Sequence, residues 1–309
     1  MEFATRADNV YVIDTNMFGF KHYQSSYIVE GKKVALIDTG IPAQVDTVRS
    51  RINEHGFSIK DISYIFLTHC EHPDHAGNVG TFVQENPNLK VYINPKGIDY
   101  LTAPSIESEN RKRVMLPQMA ARFGEQVPVP RHRIQFLKDG DVFDIGNGEK
   151  LSIMFTPGHQ PSGLVIFEEK NQGLFINDLV GNYFADADFA LVLTPPRSDV
   201  LQAKEALKKL FNMPIKRLYL GHYGIHNNPK EVIQRTLTGI KSIIDIAEQC
   251  IKEGKPEEIE PKVLASKMPE VEKLRKTRGE KLYQYTSNEL ITHHSKYFAE
   301  YYLNKIQKQ

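Results

Sequence analysis

Cysteine is scarce, neither sign of charge is in excess, and long hydrophobic runs are missing. Only Cys70 and Cys250 occur in the 309 residues, far apart in sequence, so a disulfide framework is not expected and a reducing compartment is the simpler assumption. The 39 basic and 38 acidic side chains leave a formal charge of +1, which offers no global field to a polyanion such as nucleic acid. Nowhere do about eighteen apolar residues run together, which argues against a membrane span. The opening MEFATRADNVYVID lacks a basic segment followed by an apolar one, the mark of a secretory leader. These absences point to a cytoplasmic protein that works on a small molecule.

The 40% of hydrophobic and 25% of charged residues are those of an ordinary folded chain. Its length suits one large domain, or a domain of about 200 residues with a helical appendage. From Asn9 to Thr39, short apolar runs (YVID, SSYIVE, KKVALIDTG) alternate with polar residues and glycines, as in a β-meander. Val45, Val48 and Ile52 then recur at helical spacing, and Gly56 supplies a stop. A helix is expected over residues 76–86 and a strand at KVYINP, and the irregular stretch 96–130 reads as a lid insertion. Strand signals return from Arg133 to Asp178, followed by a helix capped at Asp199, a short strand KRLYLGH, and a long helix opened by Asn228-Pro229. After a short linker at Lys255 to Pro261 everything reads as helix. Two meanders, each followed by helices, bury their apolar faces best by pairing face to face. The expected fold is therefore α/β, a four-layer αββα sandwich over residues 1–228, with a C-terminal helical extension, residues 229–309, docked on it.

The segment Leu67 to Asn78 reads L-T-H-C-E-H-P-D-H-A-G-N. Three histidines and two carboxylates fall between His69 and His75, although only eleven histidines are spread over the chain. Imidazoles and carboxylates are the preferred ligands of zinc and of non-haem iron. A solvated polar loop with Asp74 capping a helix is the bland alternative, and three further segments weigh against it. Apolar runs also end in TPGHQPSG at His159, LFIND at Asp178 and LYLGHYG at His222. Strands of one sandwich that end in this way deliver their last side chains to a common rim.

At these residues the chain resembles the metallo-β-lactamase superfamily, whose hydrolases carry a T-H-x-H-x-D-H-x-G loop, a TPGH, a terminal Asp and a final G-H. The I-D-T-G at Ile37 to Gly40 looks like the same family's early strand end, and the likeness covers residues 9 to 226. The resemblance implies that His69, His72 and His159 hold one metal ion and that Asp74, His75 and His222 hold another, with Asp178 bridging them. It further implies two divalent ions, zinc by preference, and hydrolysis of a small ester, thioester, lactone or phosphoester by a metal-bound hydroxide. Asp74 is then the catalytic carboxylate that takes up a proton and orients the attacking oxygen.

One residue departs from the pattern. Between His69 and Asp74 the chain is one position longer than the family loop, so the second ligand falls on Glu71 counting forward and on His72 counting back. With His72 the set is that of dizinc hydrolases. With Glu71 the loop looks like the H-x-E-x-D-H of the flavodiiron branch, which implies a diiron protein that binds or reduces O2 or NO with a separate electron donor. A third reading, a binding module with structural metals, does not need so many ligands.

Other residues carry weaker signals. Asp38, Thr39 and Thr68 are expected to support ligands rather than to be ligands. Cys70 reads as a small residue facing away from the metals. His22, His55, His132, His293 and His294 receive no role, and Tyr223 and His226 read as packing. The aromatic residues of the tail, including Tyr285 and Tyr297, are expected to pack on the main domain, to cover the metal rim or to form a homodimer surface.

Overall fold

The computed structural model describes residues 3–105 and 121–306, so the centre of the expected lid, residues 106–120, lies outside the described residues. The first sheet follows chain order: β1 (Arg6–Ala7), β2 (Val10–Asp14), β3 (Ser25–Glu30), β4 (Val34–Ile37), β5 (Ile62–Phe66), β6 (Lys90–Ile93) and β7 (Ile134–Phe136). Strands β1 to β4 form the antiparallel meander read from the short apolar runs. Strands β5 to β7 add in parallel through connections that contain the helices Val45–Glu54, Val79–Glu85 and Ile98–Thr102.

The second sheet begins with the antiparallel strands β8 (Val142–Gly146), β9 (Glu149–Phe155), β10 (Leu164–Glu168) and β11 (Gly173–Asn177). A small hairpin, β12 (Asn182–Phe184) and β13 (Phe189–Leu191), leaves the sheet before β14 (Arg217–Leu220) returns parallel to β11 and β15 (Ile225–His226) closes the edge.

Side chains alternate across each strand, and that period of two builds the layers. Val10, Val12, Tyr27, Val29 and Ile37 of the first sheet meet Leu151, Ile153, Leu164, Ile166 and Phe175 of the second in the central layer. Their alternates, Tyr11, Ile13, Ile28 and Leu36, pack outward on Val48, Ile52 and Phe82 of the helices. On the far side Leu174, Ile176, Leu218 and Leu220 meet Leu207, Val232, Ile243, Val271 and Phe298. Three apolar clusters between four layers make the αββα sandwich, and the helices Pro229–Lys252, Ile259–Arg278 and Ile291–Ile306 belong to its outermost layer.

Local chemistry explains the element ends. Asp199 accepts from the backbone N–H of Leu201 and Gln202 at 3.1 and 3.0 Å, and Asn228 caps the helix behind it through the N–H of Glu231. The helix expected over 76–86 is two pieces, Pro73–Ala76 and Val79–Glu85. The break falls where the Asn78 amide donates to the carbonyls of Thr39 and Ile41, at 2.7 and 3.1 Å, and ties this turn to the end of β4. Asp74 is thus inside a helical turn, with His72 in the capping position. Among the described residues no helix is long and apolar enough to cross a membrane.

At the start of β9, the end of the sandwich away from His159, Glu149 and Glu168 are both fully buried, and Asn9 donates to Glu149 at 2.7 Å. Burial, reinforced by the Glu168 carboxylate, raises the Glu149 pKa to about 7 from the 4.5 it has in an open chain. The neutral acid is therefore favoured on folding, and this contribution is intact at low pH and lost as pH rises from 4.5 through about 7. Glu149→Gln is expected to match the wild type at pH 4.5 and to exceed its stability at pH 8 by on the order of 1–2 kcal/mol. Thermal melts at the two pH values check this, and an equal difference at both would contradict it.

Candidate metal centre

The parallel pairs β4–β5 and β11–β14 place four C-terminal strand ends at one edge, and β9 points the same way. Each candidate ligand follows one of these ends: His69 to His75 after β5, His159 after β9, Asp178 after β11 and His222 after β14. The structure brings them together in two groups. One ligand atom each from His69, His72 and His159 lies within 4.8 Å of the others, and so do those of Asp74, His75, Asp178 and His222.

Asp178 joins the groups. Its Oδ1 lies 3.3 Å from His75 Nε2 and 3.5 Å from His222 Nε2, while its Oδ2 lies 3.5 Å from His159 Nε2. Asn177 presents it with φ 50° and ψ −151°, backbone that residues other than glycine adopt only at a cost of about 1–3 kcal/mol. The Asn177 amide holds this turn, donating to Leu164 O and accepting from Leu179 N, both at 2.6 Å. Gly221 is required by the same crowding, because a Cβ there would stand 2.7 Å from Asp178 Oδ1 and 2.9 Å from His75 Cε1.

Further residues orient the imidazoles. Asp38, in the left-handed region at φ 58°, contacts His75 Nδ1 at 2.7 Å and accepts from the N–H and hydroxyl of Thr68 at 2.9 and 2.7 Å. The Thr39 hydroxyl donates to His75 O at 3.0 Å, and His222 Nδ1 lies 2.9 Å from Tyr23 O. Asp38, Thr39 and Thr68 thus support the site as their place in the sequence suggests.

The inserted residue is accommodated by turning Glu71 inward. Its Oε1 accepts from the Ser162 N–H at 2.8 Å, and its Oε2 accepts from the Ser162 hydroxyl at 2.5 Å and the Cys70 N–H at 3.1 Å. The carboxylate therefore clamps the ligand loop to the TPGH loop, while half-buried His72 joins His69 and His159. Cys70 is buried against Gly97 and is a member of neither group, and burial pushes its thiol pKa well up.

Electrostatics divide the two groups. Burial lowers the pKa of His69, His72 and His159, the last to about 3, so these three are neutral donors. Burial acts the same way on His75 and His222, but the carboxylates beside them, above all Asp178, outweigh it and raise both. Asp178 would be raised by its own burial, yet His75 and His222 hold it well below the carboxylate range. Even so, Nδ1 and Nε2 of His69 and of His159, Nε2 of His75, Oδ1 of Asp74 and Oδ1 of Asp178 are buried without a hydrogen-bond partner. Orphaned polar atoms cost roughly 1–3 kcal/mol each, and converging nitrogens and carboxylate oxygens are the donor set of a two-cation site. The residues fit the group that the sequence implies.

Above the groups is a cavity of about 170 Å³, walled by Met17, Phe123, Leu193, Pro195, Tyr285 and Leu290 and floored by His72, Asp74, His159, Asp178 and His222. Sequence reasoning missed Tyr23, Ser162 and Gln160, whose amide nitrogen lies 3.1 Å from His72 Nε2. Gln160 and Ser162 stand in the TPGHQPSG segment and were within reach of it, whereas Tyr23 carries no motif. His293 and His294, given no role from sequence, line the cavity. Tyr223 and His226 pack as expected, against Phe3 and Tyr183.

The family model described as the metallo-beta-lactamase superfamily matches residues 19–222, which span every one of these ligand positions. The chain belongs to the metallo-beta-lactamase superfamily. Within it, the chain is similar to the anaerobic nitric oxide reductase flavorubredoxin of Pectobacterium carotovorum, 26% identical over 230 residues, which are 68% of this chain and 41% of the relative. The flavorubredoxin of Citrobacter koseri is 25% identical over 234 residues, 68% of this chain and 42% of the relative. The chain thus spans about two fifths of the length of these curated relatives. Its fold is similar to a superfamily protein of Thermus thermophilus (TM-score 0.64, 19% identity, 87% of this chain and 93% of that one). It is also similar to an archaeal superfamily protein of Sulfolobus tokodaii (TM-score 0.60, 21% identity, 77% and 87%).

In this superfamily member the Asp38–His75 contact is testable apart from any substrate. Asp38→Ala is expected to weaken metal affinity by about 10–100-fold, the usual effect of losing a partner that orients a ligand. Competition with a chromogenic chelator measures it, and an unchanged affinity would show that Asp38 serves only the loop. Gly221→Ala is expected to lower metal content in the same assay.

Proposed function

We propose that this chain is a dinuclear metal-dependent hydrolase of a small ester, thioester, lactone or phosphoester. The observation that carries the reading is that His72 stands with His69 and His159, while both oxygens of Glu71 are engaged by Ser162 and Cys70. The result is a histidine-rich donor set, which suits zinc better than a set with a further hard carboxylate. In this reading His69, His72 and His159 would hold one ion and Asp74, His75 and His222 the other, with Asp178, which faces both groups, shared between them.

Two divalent ions so held supply, when bound, an acidified water and a positive charge that polarises the scissile group. The protein does the rest. Asp38 and the Tyr23 carbonyl fix the His75 and His222 rings. Asp74 lines the cavity with an unpartnered Oδ1, placed to accept a proton from the attacking water and to steer it. The apolar walls exclude bulk water, and the volume of about 170 Å³ restricts the reacting part of the substrate to a small group.

The likeness to the flavorubredoxins favours a second reading, a diiron protein that binds or reduces O2 or NO with Glu71 as a ligand. That reading requires Glu71, which lies outside both groups of converging ligand atoms, to turn toward them. The pair His72→Ala and Glu71→Gln separates the two. Under the hydrolase reading His72→Ala loses one metal equivalent and about a hundredfold or more in esterase rate, while Glu71→Gln keeps two equivalents. Metal analysis after growth with both zinc and iron, alongside a panel of activated esters, thioesters, lactones and phosphodiesters, reads the outcome. Retention of both metals by His72→Ala and their loss from Glu71→Gln would reverse the assignment.

A further inference from the structure

The helix Ile259–Arg278 ends in a basic run, Lys273, Arg275, Lys276 and Arg278. Such a run is normally a solvated face, and Lys273 and Arg275 keep 33% and 45% of their side chains exposed. Arg278 keeps only 8%. A charge so enclosed is costly unless it is paired and hydrogen-bonded, and its partners come from three separate segments of the sandwich. In the turn of the β12–β13 hairpin, Asp186 accepts from Nε at 3.1 Å through each oxygen and from Nη2 at 3.0 Å. In the loop before β3, the His22 carbonyl accepts from Nη1 at 3.1 Å. The guanidinium carbon lies 4.5 Å from the centre of the Phe184 ring and 5.6 Å from that of Tyr223, the residue after the ligand His222.

The bond to His22 leads to the metal centre in one step. The next carbonyl along the chain, Tyr23 O, lies 2.9 Å from His222 Nδ1 and accepts from the Tyr223 N–H at 3.3 Å. A carbonyl only accepts, so Nδ1 carries the proton and Nε2, turned toward Asp178, is left as the ligand atom. The backbone on both sides of this contact is strained. His22 has φ 53° and Tyr223 φ 98°, left-handed values that residues other than glycine hold only where the surroundings impose them. Arg278 touches both residues, by a hydrogen bond to the carbonyl of one and by its charge over the ring of the other.

We propose that Arg278 is a positioning residue for His222: through the His22 carbonyl and the Tyr223 ring it fixes the Tyr23 carbonyl, which in turn sets the His222 imidazole. The C-terminal extension thereby takes part in metal binding without supplying a ligand. The proposal rests on the two-ion reading of the site and holds whichever reaction the ions serve. Its effect falls on one ligand group, because His69, His72 and His159 stand on other loops, after β5 and β9.

The test is Arg278→Met in the full chain, which keeps an apolar stem and removes the donors, with zinc affinity measured by competition with a chromogenic chelator. One of the two zinc ions is expected to bind about tenfold more weakly, as on loss of other partners that orient a ligand, and the second to bind as in the wild type. In a His222→Ala background the same change should move zinc affinity by less than about twofold, since the ring it positions is gone. Lys273→Met removes another tie from this helix to the hairpin, Lys273 Nζ to Asp188 O at 2.8 Å, and should leave both affinities unchanged. Arg278→Lys, which retains the charge but not the planar fork, carries the test if Arg278→Met does not fold, and is expected to show a smaller loss at the same ion. Wild-type affinity for both ions in the folded variants, equal weakening of both, the same loss in Lys273→Met, or a full further loss on top of His222→Ala would each overturn the proposal alone. If the wild type itself binds fewer than two ions, the two-ion reading fails and the proposal with it.

Discussion

The Asp178 carboxylate is a full negative charge at 3% exposure, with one oxygen turned to His75 and His222 and the other to His159. An ion in that position costs several kcal/mol in desolvation unless positive charge or strong donors surround it. The architecture can be understood as the means of supplying them. Two parallel strand pairs bring their ends to one edge, the strained Asn177 directs Asp178 inward, and Gly221 leaves room for it. The carboxylates beside them raise the pKa of His75 and His222, so these rings offset part of that charge, while both nitrogens of His69 and of His159 are buried without a partner. The difference between two histidines whose pKa the carboxylates raise and three whose pKa burial lowers is what a pair of divalent cations would level.

The ligand loop shows how such a site tolerates an extra residue. An insertion between His69 and Asp74 would ordinarily shift every later side chain off its target. Here the added length is taken up by burying Glu71 and anchoring it to Ser162 in the loop of another strand. Breaking that tie would leave a buried carboxylate without donors, so Glu71 is held against Ser162. The same tie fastens two ligand-bearing loops, one from each sheet, to each other.

Much of this was legible in the sequence, and for identifiable reasons. The period of two in YVID and SSYIVE gives the meander, and the caps at Asp199 and Asn228 give their helices, because both are local signals. His69, His72, Asp74, His75, His159, Asp178 and His222 stand out because each follows an apolar run, and strand ends in a sandwich converge. The choice between Glu71 and His72 was not legible. It depends on Ser162, ninety-one residues away from Glu71, and the pattern of a loop holds no information on such a partner. The places of Tyr285 and His293 at the cavity were hidden for a related reason, since an aromatic or histidine in a helical stripe looks the same whether it faces a core or a cavity, and Tyr23 stands in a loop before β3. The break at Asn78 was missed because its cause is the backbone of Thr39 and Ile41 across the sheet.

The C-terminal helices give the site its character. They close the third apolar cluster and, through Tyr285, Leu290 and His293, also wall the cavity over the candidate ligands, so core packing and the shape of the cavity fall to the same helices. Whether the histidine-rich or the carboxylate-bearing site is the working one is decided most directly by diffraction from crystals of the purified protein, recorded at the zinc and iron absorption edges. The account requires two anomalous peaks flanking Asp178, stronger at the zinc edge, with His72 touching one of them and Glu71 still bound to Ser162. A peak that responds at the iron edge and touches the Glu71 carboxylate would contradict it.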